Sequence, residues 1–250
     1  LVKLEPAYQT RNEGRDEKLM IVQDLEKNKA LFDSIEPGAG RKLQQYLDSA
    51  KDTYDLSMKH FLYTNFENTK SFTNKEVLGK APKFLSHLVT SLYAFSGKYV
   101  KDERLKKILN FPAVFLGASP YDTPSMYHLM THVDLNVGVF YPMGGFYTLI
   151  EAIERIAKQH GVEIKTNSPV SKIEVNDKGV ATGVTVGEVF IAADVVVGTA
   201  DMHHVETRLL EPKHQSFPEK FWANKVPGPS AMLLYLGVKG KVPQLNHHTL

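Results

Sequence analysis

Two glycine-containing segments are the parts of this sequence whose residue types best suit ligand chemistry. Gly144 and Gly145 lie between an apolar segment and a helical pattern, and glycine lets backbone N–H groups approach a ligand closely. Residues 198–201 follow an apolar run, and open sheets of alternating strands and helices bind ligands beyond the carboxyl ends of their strands. Each segment taken alone is also typical of an ordinary turn, in which Asp201 would cap a helix.

Acid–base and metal chemistry would depend on a few carboxylates and histidines. Glu76 could exchange a proton with a substrate if burial raised its pKa, although the first turn of a helix also suits a solvated carboxylate. His203-His204 and His247-His248 are adjacent pairs, and neighbouring residues of a strand point to opposite faces. No third ligand has metal-site spacing beside either pair, and the sequence contains no cysteine. We therefore expect no metal site and no disulfide.

Helical periodicity dominates the first 140 residues, which must position several of these side chains. Asp24 is a suitable N-cap for a helix, and Pro37-Gly38 is a suitable stop. Apolar residues then recur at spacings of three and four from residue 41 to about residue 66. The sequence predicts a β-hairpin over residues 1–23 and helices over residues 24–35, 41–66, 82–95, 102–110 and 124–135.

The pattern changes after residue 139. An amphipathic helix over residues 145–160 is followed by Gly161, at a position that favours left-handed backbone geometry. Residues 194–197 are almost wholly apolar, as expected for a strand that is buried on both faces. Further elements are a helix over residues 201–210, the beginning of a strand at His247, and strands over residues 162–165, 169–175, 180–186, 188–191 and 231–238.

Composition limits the classes of protein to consider. The 250 residues are enough for one large domain or two small ones with a sizeable core. The formal net charge of +2 gives no electrostatic case for nucleic acid as a partner. The longest uncharged apolar stretch, residues 111–121, contains prolines and is too short to span a membrane. A cytoplasmic location is expected, with contact to a membrane surface still open.

The order of the motifs carries more weight than any one of them. Gly-Gly, an amphipathic helix, Gly-Val-Glu-Ile, Ser-Pro-Val-Ser-Lys-Ile, a β-meander and Ala-Asp-Val-Val-Val follow one another. This series resembles bacterial-type phytoene and carotenoid desaturases, which are FAD enzymes of the amine-oxidase-like flavoprotein superfamily. The resemblance covers essentially all 250 residues. It extends to Glu-Pro-Gly-Ala-Gly at residues 36–40, Gly-Ala-Ser-Pro-Tyr at 117–121 and Gln-Leu-Asn-His-His-Thr at 244–249.

The resemblance implies a fold of the α+β or α/β class. A partial FAD/NAD(P)-binding domain, made of a helix, strands and a β-meander, would be interleaved with a helix-rich substrate domain that carries a β-sheet. Residues 1–140 would form the substrate domain with its hairpin and helices. Residues 141–210 would be the remnant of the FAD-binding domain, and residues 211–250 would return to the substrate domain.

The resemblance also implies roles for individual residues. Val170 would place its backbone against the adenine, and the glycine pair would mark the return from the substrate domain into the FAD domain. Glu76, after Lys75, falls where the family carries a basic–acidic pair proposed for proton handling, so Glu76 is the catalytic candidate. The residues assigned to FAD are Gly144, Gly145, Val170, Thr199, Ala200 and Asp201. Those assigned to the substrate are Tyr141, Met143, His247 and His248.

The function implied by the resemblance is desaturation of phytoene or a related long polyene in carotenoid biosynthesis. A hydride would pass from an allylic C–H to the flavin, and the enzyme would touch a membrane surface peripherally. The sequence has no Gly-x-Gly-x-x-Gly motif and no segment like the family's C-terminal flavin segment. We therefore expect an internal fragment that does not retain FAD and is inactive by itself.

Two alternatives remain open. The first is another amine-oxidase-like flavoenzyme, such as an amine oxidase, a protoporphyrinogen oxidase or a protein similar to retinol saturase. The second is a catalytically silent module that binds apolar ligands or associates with itself through exposed apolar surface. A substrate screen separates the first alternative from a desaturase, and the flavin absorbance of the protein separates the second.

Overall fold

A computed structural model describes residues 1–65, 67, 73–226 and 228–250. The chain forms two compact units, of which the first contains Leu1–Leu149 and Gly228–Leu250 and the second contains Ile150–Pro227. The chain therefore leaves the first unit and returns to it. Helices and sheets are both present, which confirms a mixed fold class. The assignment of substrate-binding and FAD-binding roles to residues 1–140, 141–210 and 211–250 stays a prediction.

The first unit contains most of the helices. A 3₁₀-helix at Phe111–Leu116, another at Ser125–His128 and a π-helical turn at Val133–Val137 connect its later elements. The strands are β1 (Val2–Lys3), β2 (Tyr8–Arg11), β3 (Lys18–Ile21) and β4 (Phe140–Tyr141). The helices are α1 (Leu25–Ile35), α2 (Ala39–His60), α3 (Lys75–Gly79), α4 (Ala81–Val89), α5 (Leu92–Ser96), α6 (Glu103–Asn110) and α7 (Leu129–His132).

Local sequence signals account for the start of this unit. β2 and β3 pair antiparallel, with Tyr8 opposite Ile21. Leu19 and Ile21 are buried while Lys18 and Met20 are exposed, as the two-residue period of a strand requires. Asp24 caps α1 by accepting hydrogen bonds from the N–H groups of Glu26 and Lys27, which confirms the predicted N-cap. The hairpin and α1 then pack on α2 to form the core.

Two long-range backbone pairings join distant segments of the first unit. The N–H of Gln9 donates to the carbonyl of His248 at 3.0 Å, and the N–H of Leu250 donates to the carbonyl of Gln9 at 2.9 Å. Thr249 therefore forms an isolated parallel bridge with Gln9. The segment predicted to begin a strand at His247 is not itself a strand. β1 pairs antiparallel with β4, with Val2 opposite Tyr141.

The second unit is built on an antiparallel meander. Its strands are β5 (Val170–Val175), β6 (Ala181–Val186) and β7 (Val189–Ala192), in the order β5-β6-β7. The turn between β5 and β6 is fixed by the side chain of Asn176, which accepts hydrogen bonds from the N–H groups of Lys178 and Val180. The other elements are α8 (Tyr147–Gln159), which begins in the first unit, α9 (Met202–His204), a π-helical turn (Val205–Leu209), a 3₁₀-helix (Pro212–His214) and α10 (Glu219–Ala223).

Three predicted strands are wrong in this structure. Residues 162–165, 194–197 and 231–238 have no strand conformation, and Val195 and Val197 are 75% and 77% exposed. An apolar run becomes a buried strand only when other strands pair with its backbone on both sides. No strand in the described part of the chain pairs with any of these three segments.

The predicted helix over residues 41–66 is also shorter than expected, since α2 ends at His60. The predicted helix over residues 124–135 consists of three short pieces with different hydrogen-bond spacing: the second 3₁₀-helix, α7 and the first π-helical turn. Within the described ranges, no helix combines the length and the apolar character that crossing a membrane requires.

Replacing Leu47 with Ala is expected to lower the free energy of unfolding by about 2–5 kcal/mol. Leu47 is fully buried on α2, inside the core of the first unit, so the substitution removes apolar contacts and leaves a cavity. The matched control is Leu78→Ala on α3, where the side chain is 56% exposed and the expected change is within about 0.5 kcal/mol. Urea denaturation followed by circular dichroism measures both, and equal losses would contradict this assignment of the core.

Candidate functional site

The predicted glycine pair forms a turn that only glycine fits. The backbone φ angles of Gly144 and Gly145 are 92° and 94°, a region that side chains disfavour. A Cβ atom on Gly144 would lie 2.9 Å from Cγ2 of Thr148. The N–H groups of Gly144 and Phe146 have no hydrogen-bond acceptor among the described residues. The turn therefore presents free donors at the beginning of α8, which suits a polar or anionic part of a ligand.

The other residues predicted to bind a cofactor lie in the second unit. Val170 is the first residue of β5, and Thr199 and Ala200 are exposed. Asp201 accepts a hydrogen bond from the N–H of His204 at 3.1 Å, so it is the N-cap of α9, as its position predicted. Their role in binding a cofactor stays a prediction. The glycine pair belongs to the first unit.

Two of the four predicted substrate residues line a small aromatic cavity in the first unit. It has a volume of about 230 Å³. Tyr141 and His248, which are far apart in sequence, both line it, whereas His247 and Met143 do not. We call it the aromatic cavity, and its lining residues are Ala7, Tyr8, Phe111, Phe115, Asp134, Val139, Phe140, Tyr141, Phe146, His248 and Leu250.

The aromatic cavity contains the carboxylate of Asp134, which is not among the site residues predicted from the sequence. The hydroxyl of Tyr8 donates a hydrogen bond of 2.8 Å to Oδ2 of Asp134. Burial raises the pKa of Asp134 to about 6, and the hydrogen bond from Tyr8 acts against that rise. Burial and the neighbouring carboxylate also raise the pKa of Tyr8 well above its ordinary value. The pair therefore combines a donor that stays protonated with a carboxyl group that titrates close to neutral pH.

Backbone structure holds this pair in place. Tyr8 begins β2 and is almost fully buried, and its ring lies 5.6 Å from that of Phe111. Asp134 lies in the π-helical turn Val133–Val137, which is capped by Gly138, whose N–H donates to the carbonyl of Val133 at 2.9 Å. A single charged residue inside the largely apolar segment of residues 133–139 is the one sequence signal that could have identified Asp134.

The histidine pair at the end of the chain contributes one ring to the cavity. The Nδ1 atoms of His247 and His248 lie 2.9 Å apart, and burial together with His247 lowers the pKa of His248. His248 is thus neutral at neutral pH and adds a polar but uncharged group to the cavity wall. Across the described ranges, no group of three or more His, Cys, Asp or Glu side chains has a metal-binding arrangement.

A second, larger cavity lies between α2, α4 and residues 126–130 and has a volume of about 590 Å³. None of its lining residues is charged, and the hydroxyl of Ser57 is buried without a hydrogen-bond partner among the described residues. We call it the apolar cavity. Its lining residues are Tyr54, Ser57, Met58, Phe61, Leu62, Thr64, Phe84, Leu88, Met126, Tyr127, Leu129 and Met130. Such a wall suits a ligand without charge.

Glu76 lies outside both cavities. Its carboxylate is partly exposed, accepts a hydrogen bond of 2.6 Å from Nζ of Lys59, and lies 3.1 Å from Nε2 of His60. The hydrogen bonds from Lys59 and His60 lower the pKa of Glu76 to about 2. The raised pKa on which a proton-transfer role depends is not found here, and the catalytic role of Glu76 stays a prediction.

The structure combines helices and sheets, and its first unit contains two cavities that are lined mainly by apolar and aromatic side chains. Sequence comparison identifies the family. Residues 25–249 match the family described as flavin containing amine oxidoreductase. The chain belongs to this family, since the match covers most of its length.

Named relatives show which proteins of this family the chain is similar to. The chain is 31% identical over 250 residues to a carotenoid 3,4-desaturase of Haloarcula japonica, covering 100% of this chain and 50% of the relative. It is 29% identical over 252 residues to a zeta-carotene-forming phytoene desaturase of Myxococcus xanthus, covering 100% of this chain and 47% of the relative. It is 31% identical over 260 residues to a phytoene desaturase of Cercospora nicotianae, covering 100% of this chain and 40% of the relative. These matches confirm the predicted resemblance to carotenoid desaturases. The chain spans about half the length of these curated relatives, or less.

Replacing Asp134 with Asn is expected to remove a pH-dependent loss of stability. The pKa of Asp134 is 3.8 as an ordinary group and about 6 in the folded chain, so the folded chain binds more protons than the unfolded chain between these values. The protonated carboxyl group of Asp134 therefore contributes its full stabilisation of the folded chain below about pH 4. This contribution is lost as pH rises towards 6, by up to about 1.4 kcal/mol of unfolding free energy per pH unit. The difference in unfolding free energy between variant and wild type should therefore shift in favour of the variant over this window.

Urea denaturation at several pH values between about 4 and 7 measures this difference. The control is Asp122→Asn, in which an exposed carboxylate is replaced, and its difference from wild type should stay nearly constant. A difference for Asp134→Asn that is also constant would show that the carboxyl group of Asp134 is not perturbed.

Proposed function

We propose that this chain is part of a FAD-dependent oxidoreductase that desaturates a long polyene of the carotenoid type. The names of three similar relatives support the reaction class. The observation that carries the proposal is the apolar cavity, whose lining includes no charged side chain among the residues that the structure describes. A hydrocarbon chain offers no hydrogen-bonding group, so its binding depends on the burial of apolar surface.

The family supports FAD as the cofactor. Bound FAD would supply the two-electron oxidant, an acceptor for hydride from an allylic C–H group. We propose that the free N–H groups around Gly144 contact a phosphate or another polar part of the cofactor, because they lie at a helix N-terminus. Val170 would contact the adenine through its backbone. Residues 199–201, which belong to the same unit as Val170, would lie near the cofactor, as the resemblance implies.

Access of the substrate from a membrane surface is part of the proposal. A long polyene dissolves in the hydrocarbon region of a bilayer, so an enzyme that acts on it gains from contact with lipid. Exposed apolar side chains next to the apolar cavity support such a contact: Leu62, Tyr63, Leu85, Leu88 and Val89. The protein would then bind the membrane surface peripherally.

Full-length protein reconstituted with FAD is expected to convert phytoene, supplied in liposomes, into products with additional conjugated double bonds. Chromatography with absorbance detection measures the products, and heat-denatured protein is the control. A parallel screen against amines and porphyrinogens tests the alternative that the chain is part of another flavoenzyme. Turnover of amines or porphyrinogens without turnover of any polyene would contradict the proposed function.

Replacing Leu88 with Trp is expected to raise KM for the polyene by about tenfold or more while kcat changes little, because loss of ground-state binding acts on KM. Leu88 lines the apolar cavity, and an indole in its place would occupy space that the substrate needs. Ser86→Trp is the matched control, since Ser86 lies on the same helix, is exposed and neither lines the cavity nor belongs to the proposed membrane-contact residues. Equal effects of the two substitutions would show that the cavity does not bind the polyene.

A further inference from the structure

Formation of a carbon–carbon double bond from two neighbouring C–H groups releases a hydride and a proton. The proposed function directs the hydride to the flavin, and the proton needs a base that reaches an apolar substrate. A hydrocarbon has no group of its own that can accept a proton, so the base must come from the protein or from water. We propose that Asp134 is this proton acceptor and that Tyr8 positions its carboxylate, an inference that rests on the proposed function.

The geometry of the aromatic cavity supports this role. Asp134 is the one carboxylate among the lining residues. Its Oδ2 atom is held by the hydroxyl of Tyr8 at 2.8 Å, and its Oδ1 atom has no hydrogen-bond partner among the described residues. One oxygen is therefore fixed while the other is free to accept a proton from a ligand in the cavity. The remaining wall is mainly aromatic and aliphatic, which suits the face of a short polyene segment. The inference therefore requires the reacting segment to lie in the aromatic cavity while another part of the same long chain occupies the apolar cavity.

No positive charge offsets the burial of this carboxylate. The titratable groups that face Asp134 across the cavity are Tyr8 from β2, Tyr141 from β4 and His248 from the segment paired with β2. Neither Lys nor Arg lines the cavity, and the pKa of His248 is lowered. Burial consequently raises the pKa of Asp134 to about 6. A carboxylate with this pKa is still ionised at neutral pH and is a stronger base than an exposed one.

The proposed step balances in atoms and electrons. One allylic C–H bond breaks and its hydrogen leaves as hydride with both bonding electrons, which bound FAD would accept as the two-electron oxidant. The C–H bond on the adjacent carbon breaks and its hydrogen leaves as a proton to Oδ1 of Asp134. The electron pair of that second bond becomes the new π bond. Asp134 then releases its proton to solvent water, which restores the carboxylate for the next turnover.

Glu76 is the competing carboxylate for this step. Its hydrogen bonds with Lys59 and His60 stabilise the charged form, which makes it a weaker base than an unpaired carboxylate. It also lines neither of the two cavities. The two carboxylates therefore differ in both position and basicity, and one set of variants can distinguish them.

The test uses full-length protein with FAD and phytoene in liposomes. Asp134→Asn is expected to lower kcat by about a hundredfold or more, the size of effect that loss of a general base produces, while the dissociation constant of the polyene changes by less than about threefold. Asp134→Glu, which keeps a carboxylate, is expected to recover part of the rate. Asp122→Asn is the matched control, because this exposed residue lines neither cavity.

Tyr8→Phe provides a readout that does not depend on turnover. Loss of the hydroxyl removes the hydrogen bond that lowers the pKa of Asp134, so that pKa should rise. Infrared difference spectra across the pH range measure the carboxyl C=O band directly. The band should titrate at higher pH in Tyr8→Phe and be absent in Asp134→Asn. The pH profile of kcat should move in the same direction in Tyr8→Phe, whereas a merely structural role would leave the profile unmoved.

The outcomes are distinguishable from failure of the proposed function. A wild-type protein that desaturates no polyene overturns both the proposed function and this inference. An active wild type whose Asp134→Asn variant keeps its rate within about threefold overturns the inference alone. A large loss of kcat in Glu76→Gln, with Asp134→Asn unaffected, assigns the proton transfer to Glu76 instead. If Asp134→Asn does not fold, an unmoved carboxyl band and an unmoved pH profile in Tyr8→Phe overturn the inference.

Discussion

The position of β2 between two partners is the constraint on which the rest of the first unit depends. β3 pairs with one edge of β2, and the segment ending at Leu250 pairs with the other. The side chain of the buried Gln9 strengthens the second pairing, because its amide donates to the carbonyl of Gln244 and to the hydroxyl of Thr249. A strand paired on both sides cannot slip in register without breaking both ladders. Tyr8 is therefore fixed relative to His248 and Leu250, which together form part of the aromatic cavity.

Desolvation explains why two carboxylates of the same unit behave differently. Glu76 is partly exposed and paired with Lys59 and His60, so the charged form is stabilised and its pKa falls. Asp134 has a neutral phenol as its partner and is surrounded by aromatic groups, so the charged form is disfavoured and its pKa rises. The residue type is acidic in both cases, and only the surroundings differ. A general base for apolar chemistry needs the second kind of environment.

Signals contained within a few residues predicted local structure well. The N-cap at Asp24, the left-handed Gly161 and the Asn176 turn each depend on contacts close in sequence or on the glycine backbone. The pair of Tyr8 and Asp134 could not be predicted, because 126 positions separate the two residues and neither has a local motif. The expected strands at residues 194–197 and 231–238 failed for a related reason. Both segments are largely apolar, but strand formation depends on a pairing partner that no local pattern supplies.

Under the proposed function, one physical property, the exclusion of water, would connect binding and chemistry in the first unit. An aromatic and aliphatic wall lowers the free energy of a bound hydrocarbon because apolar surface leaves water. The same wall raises the pKa of Asp134, because the ionised carboxylate loses its hydration. A polyene that enters the aromatic cavity would displace the remaining water near Oδ1 and increase the basicity of the carboxylate further. Occupancy by substrate would thus strengthen the base at the moment when a C–H bond lies beside it, without any movement of the backbone.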